Sequence, residues 1–272
     1  MDILNVENLS IYTKDKKTKV KLVNNLSFNL KKGECLGVLG ESGSGKSMTC
    51  KAIMGLLDDK NFHIEGKAVY KNQDLLIKNK EALRKLRGKK IAMILQNPTS
   101  CFDPLYTIEY QMFETFKEHL NLEIKDIRKK SIEILNKMKI RNPEDVLEKY
   151  PHQLSGGMLQ RIMIGIAMAM DPDIIIADEP TTAIDAITQY EIMNEFVNIK
   201  KTHNVSMIFV SHDIGVISKI ADKVIVMNNG NTQLSGCLDE LFNQEKDKFT
   251  KNLIDKKISV MERYRVVLKR GE

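Results

Sequence analysis

The run Gly40-Glu41-Ser42-Gly43-Ser44-Gly45-Lys46-Ser47 has the spacing GxxxxGK[ST], directly after an apolar strand pattern at residues 35–39 and directly before a helical pattern at residues 46–56. That context gives the motif its chemistry. Glycines let a loop wrap closely around an anion, and the backbone N–H groups at the following helix N-terminus face its oxygens. Lys46 adds a positive charge against the outer phosphates, and the Ser47 hydroxyl suits a ligand of Mg2+. These residue types at this spacing predict a nucleoside triphosphate site.

A phosphate loop alone serves kinases, GTPases and motors alike, so the discriminating chemistry lies further along. Ile174-Ile175-Ile176-Ala177-Asp178-Glu179 ends an apolar run on two carboxylates. Asp178 is suited to hold the metal through water. Glu179, one residue on, points the other way along a strand, toward the terminal phosphate, where it orients or deprotonates an attacking water.

Four further segments stand in a fixed order around these two. Gln96 follows the apolar run 91–95, Leu154-Ser155-Gly156-Gly157-Met158 leads into a helical pattern at 158–170, Thr182-Ala183-Ile184-Asp185 follows the carboxylates, and His212 follows the apolar run 207–210. Ser155 and the glycines head a helix, an anion-binding arrangement, yet the chain's own loop already surrounds the phosphates.

The elements that must position these residues alternate. Apolar runs at 35–39, 91–95 and 174–177 are each followed by helical patterns, which predicts helices wrapped around a largely parallel sheet. The three consecutive isoleucines 174–176 read as a strand buried on both faces. Residues 3–9 and 20–30 differ, reading as paired, partly exposed strands and hence an antiparallel β piece at the edge. Between about 105 and 150 the pattern is helical, with Ile124, Ile127, Leu135 and Met138 near helical spacing. Residues 260–272 read as a charged helical tail.

Composition narrows the class. A chain of 272 residues with 42% hydrophobic and 29% charged residues folds around a real core. The formal charge of +6 comes from 42 basic against 36 acidic residues, mostly interspersed, so a solvated surface is expected and no nucleic-acid partner. The clusters 14–21 and 84–90 are the most basic stretches. Cys35, Cys50, Cys101 and Cys237 have no CxxC or Cys/His spacing, which argues against a disulfide framework or a zinc site. No stretch approaches the roughly 20 apolar residues that cross a bilayer, so any service to a membrane comes from outside the lipid.

Six motifs in this order, spanning 40–212, resemble those of the ABC ATPases. Leu154 to Met158 is similar to their signature, Gln96 to the Q-loop glutamine, residues 182–185 to the D-loop and His212 to the switch histidine. The resemblance implies an α/β fold: a P-loop NTPase core with a mostly parallel sheet, an N-terminal antiparallel β subdomain and an inserted helical subdomain at about 105–165. The ATPase domain would span 1–245, with a short helical extension at 246–272. ATP and Mg2+ are the implied cofactors. Residues 40–47 with Thr49 would surround the nucleotide, Ser47, Gln96 and Asp178 the metal, and Lys46, Glu179, Gln96 and His212 would carry hydrolysis. Ser155 and Gly157 would complete the site of an opposite subunit, in trans to its γ-phosphate. Tyr12 is the candidate for stacking on adenine, although it lies one residue early, and Met158 stands where glutamine is more common.

Residues 96–105, 155–160 and 249–253 resemble the branch that imports nickel, metal chelates and di- or oligopeptides. That implies a heterodimer of two ATPases, two membrane subunits and an external solute-binding protein, with this chain peripheral at the cytoplasmic face of the membrane. The same catalytic residues would serve an exporter or lipid-handling system. A soluble chromosome- or ribosome-type ATPase fits less well, lacking long heptads or a second cassette.

Overall fold

The computed structural model describes residues 1–14, 20–77, 79–120, 122–182 and 184–237. Ala183, the middle of the 14–21 basic cluster, residues 249–253, the 246–272 extension and the tail 260–272 lie outside them.

The chain opens with β1 (Asp2–Thr13) and β2 (Lys21–Lys31), paired antiparallel with Val6 opposite Phe28 and Ile11 opposite Val23. β3 (Cys35–Gly40) runs through the phosphate loop into α1 (Lys46–Ile53). β4 (Phe62–Tyr70) and the two-residue β5 (Gln73–Asp74) then return to the first pair, so this sheet has four strands in the order β2-β1-β4-β5. The sequence showed only two of them, because the middle of β4, from Glu65 to Lys67, is polar and exposed.

After α2 (Lys80–Leu86), β6 (Ile91–Ile94) leads into α3 (Ile108–His119), α4 (Ile124–Lys137), α5 (Pro143–Leu147) and α6 (Gly156–Ala169). Ile124 does not join the buried stripe expected of it. It is 71% exposed as the first residue of α4, while Ile127, Leu135 and Met138 are buried. The rest alternates: β7 (Ile174–Asp178), α7 (Ala186–His203), β8 (Ser206–Ser211), α8 (Ile214–Ile220), β9 (Lys223–Asn228) and β10 (Asn231–Cys237). The second sheet has the order β10-β9-β3-β8-β7-β6 and is parallel except for β10.

Successive side chains of a strand face opposite ways, and the core divides accordingly. Ile175 and Ala177 of β7 pack with Met207 and Phe209 of β8 against the long helices, where Phe209 meets Phe196 of α7 edge-on at 5.2 Å. Ile174 and Ile176 join Ile208 and Val210 on the other face, with α1 and the antiparallel sheet. Covered on both sides, β7 and β8 are buried at every position.

A polar staple ties β4 of the first sheet to the start of β7 in the second. The Tyr70 hydroxyl at the end of β4 donates to Asp173, just before β7, and Lys71 Nζ donates to the same carboxylate at 2.9 Å. Burial alone would raise the Asp173 pKa, but the hydrogen bonds from Tyr70 and Lys71 and the charges of Lys71 and Lys90 outweigh it and hold the carboxyl below its ordinary value. Its stabilising effect is therefore complete above the ordinary carboxylate pKa of about 4 and is lost as pH falls through the lowered one. Asp173→Asn is expected to cost about 1–2 kcal/mol at neutral pH, discounted for solvent access. The unfolding curves of variant and parent should converge in acid; a difference that persists there would count against the staple.

Among the described residues no helix is long and apolar enough to cross a membrane. All four cysteines are free thiols, Cys35 and Cys50 buried, Cys101 and Cys237 exposed.

Candidate active site

Because β3, β6, β7 and β8 are parallel, the loops that follow them leave at one edge of the sheet. Ligands of open parallel sheets bind at that carboxyl edge. The phosphate loop, Gln96, the carboxylate pair and His212 all occupy it.

The loop is built from its glycines. Gly43 and Gly45 stand at φ 83° and 102°, where a side chain would be strained, and a Cβ on Gly45 would come 2.9 Å from the Leu22 carbonyl oxygen. The loop thus lies against β2. Lys46 Nζ donates to the carbonyls of Gly40 and Glu41 at 2.9 and 2.8 Å, inside the curve of its own loop. Burial pushes the Lys46 pKa down, while the charges of Glu179 and Asp178 work against that shift. The Ser44 hydroxyl is buried with no hydrogen-bond partner among the described residues. A desolvated cation and an orphaned hydroxyl inside a ring of backbone amides suit a multiply charged anion.

The carboxylates arrive on β7. Ser47 Oγ donates to Asp178 Oδ1 at 2.8 Å, joining α1 to the strand. Burial raises the Asp178 pKa; the Ser47 bond opposes this and the Glu179 charge adds to it. A hydroxyl and a desolvated carboxylate in contact form a hard oxygen pair, the donor chemistry of a small divalent cation whose remaining positions are filled by phosphate and water.

Glu179 follows the strand in the left-handed region, φ 47°, a conformation that costs a non-glycine residue about 1 kcal/mol. The bend turns its side chain into the cluster. Oε1 lies 3.8 Å from Lys46 Nζ, and Oε2 lies 3.2 Å from His212 Nδ1 and accepts from Thr182 Oγ1 at 2.9 Å. His212 donates in the tautomer that carries the proton on Nδ1.

Lys46, Ser47, Asp178, Glu179 and His212 are thus brought together. Thr49 is not turned to this cluster, since its hydroxyl donates to the Gly45 carbonyl at 3.0 Å and braces the loop from behind. Gln96 is exposed beyond β6, and among the described residues its side chain has no hydrogen bond to Ser47, Asp178 or Glu179. Tyr12 lies opposite Lys21 in the sheet, its ring 5.3 Å from Lys21 Nζ and 6.1 Å from the His63 ring, one residue from the Leu22–Val23 pair that touches Gly45. Thr182 is the contact that sequence reading missed; its distance of three residues from Glu179 was the available signal.

The segment Ser155 to Gly157 stands apart. Ser155 caps α6, its Oγ accepting from Met158 N at 3.2 Å, and Ser155 and Gly156 are exposed. Among the described residues no hydrogen bond joins residues 155–157 to the phosphate loop. A Cβ on Gly156 would meet nothing within 4 Å, whereas one on Gly157 would sit 2.5 Å from Thr188 Cγ2 of α7. The helix N-terminus is pinned by the second glycine and left open at the first.

The sequence and the fold are similar to those of known proteins. The chain is 43% identical to the metal-staphylopine import system ATP-binding protein CntD of Staphylococcus aureus (strain NCTC 8325 / PS 47), over 99% of this chain and 98% of that one. It is 39% identical to the dipeptide transport ATP-binding protein DppD of Haemophilus influenzae, over 93% of this chain and 77% of that one. Its fold matches a dimeric, post-hydrolysis ATP-binding cassette, MJ0796, bound to ADP and phosphate, with a TM-score of 0.76 and 26% identity over 86% of this chain and 98% of that one. A family model described as ABC transporter matches residues 23–182, from β2 through the carboxylate pair, and the chain belongs to that family as an ATPase.

Proposed function

We propose that this chain is the ATP-hydrolysing subunit of an importer for metal chelates, nickel complexes included. The observation that carries the reading is the identity with a metal-staphylopine import ATPase along 99% of the chain. Import of di- or oligopeptides is the second reading, supported by the 39% identity to a dipeptide transport subunit.

In this role the amides of residues 40–47 and Lys46 hold the β- and γ-phosphates, and Tyr12 stacks on adenine. Ser47 and Asp178 would hold Mg2+, with Gln96 joining them as its loop moves inward; the ion supplies charge neutralisation on the phosphate oxygens. Glu179 takes a proton from the attacking water, and His212 steadies the γ-phosphate. Ser155 and Gly157 complete the site of a second, different ATPase subunit, which explains an exposed anion-binding helix end with no anion partner in its own chain. Two membrane subunits and an external solute-binding protein complete the assembly, with this chain peripheral at the cytoplasmic face.

Vesicles carrying the assembled transporter test the reading. ATP supplied to this subunit should drive uptake of a nickel chelate in preference to a dipeptide, and Lys46→Ala should abolish it. Preferential dipeptide uptake would establish the second reading, and ATP-driven efflux would contradict both.

A further inference from the structure

The carboxylate of Glu179 is held unevenly. Its Oε2 accepts from Thr182 Oγ1 at 2.9 Å and faces His212 Nδ1 at 3.2 Å, while among the described residues Oε1 has only the long 3.8 Å ion pair to Lys46. Thr182 also closes the backbone turn, its N–H donating to the Glu179 carbonyl at 3.2 Å. The left-handed bend at Glu179, φ 47°, takes the residue out of the regular strand conformation. The hydroxyl of Thr182, three residues on, is the nearest hydrogen-bond donor to this carboxylate among the described residues.

We propose that Thr182 is a positioning residue for hydrolysis, fixing Glu179 through Oε2 so that Oε1 is the oxygen presented to the attacking water. The inference rests on Glu179 being the general base. As the water oxygen bonds to the γ-phosphorus, Oε1 takes its proton, and the bond from that phosphorus to the β–γ bridging oxygen breaks with its electron pair leaving on ADP.

His212 reaches the same oxygen but differs in kind. It is 51% exposed and follows another strand, β8. Thr182 sits in the same turn as the base and travels with it. The tether therefore persists when His212 turns to the nucleotide, and a hydrogen bond to an ionised carboxylate is among the stronger kinds.

The test compares variants of the full chain in its assembled transporter. Thr182→Val keeps the shape and removes the hydroxyl; it should lower kcat by about ten- to a hundredfold while changing the KM for ATP by less than about twofold. Thr182→Ser should recover most of the loss, and Thr182→Ala carries the same test if valine disturbs folding. In a Glu179→Gln background, Thr182→Val should change the residual rate by less than about twofold, because both act on one step. Parental kcat in the valine and alanine variants, or a loss carried by KM that serine does not recover, overturns the tether. Parental turnover in Glu179→Gln alone overturns the assignment of the base beneath it.

Discussion

Replacing Glu179 by glutamine is expected to slow phosphate release by about a thousandfold while ATP binding is kept, since a positioned general base contributes about 10²–10⁴-fold. The amide oxygen still accepts from the Thr182 hydroxyl, and the loop that grips the phosphates is untouched. What disappears is a group that takes a proton at neutral pH. The variant should therefore accumulate with ATP bound, measurable as retained nucleotide after rapid gel filtration beside a phosphate-release assay. Turnover within a few fold of the parent would remove Glu179 from the chemistry.

Gly156→Asp should fold as the parent does and lose at least about a hundredfold in hydrolysis, the scale of a lost or opposed electrostatic contact in a closed site. Its Cβ points into open space, and a carboxylate in the first turn of α6 suits the helix dipole, so stability should stay within about 0.5 kcal/mol. The same charge would meet the triphosphate of a second subunit approaching that face. Gly157→Ala should differ in stability. With Thr188 Cγ2 2.5 Å from its Cβ, the Thr188 side chain or the helix itself must shift, which should cost about 1–3 kcal/mol. Thermal unfolding read beside ATPase activity separates the two. Equal loss of stability in both variants would contradict the view that Gly157 packs α6 against α7 while Gly156 faces open space.

The parts legible in the sequence are those written locally. The phosphate loop is contiguous, and its glycine spacing dictates the φ values found at Gly43 and Gly45. β7 announced itself because burial on both faces demands apolar residues at every position. β4 did not, since its exposed middle carries no such demand. Ile124 misled because α4 starts there, and as the first residue of the helix it stays exposed while Ile127 is buried. At the site, residue types gave the members and topology gave the meeting. Lys46, Glu179 and His212 follow three different strands, and only the order β3-β8-β7 brings their loops together. The left-handed backbone of Glu179 and the oxygen that Thr182 holds are tertiary facts with no pattern in the sequence.

A site divided between two proteins should stop working when they part. Turnover per chain, measured as the assembled complex is diluted through its dissociation and followed by sedimentation, should fall in step with the associated fraction. A separated chain that keeps hydrolysing ATP at the undiluted rate, with its own Ser155 and glycines taking no part, would contradict the account at its centre.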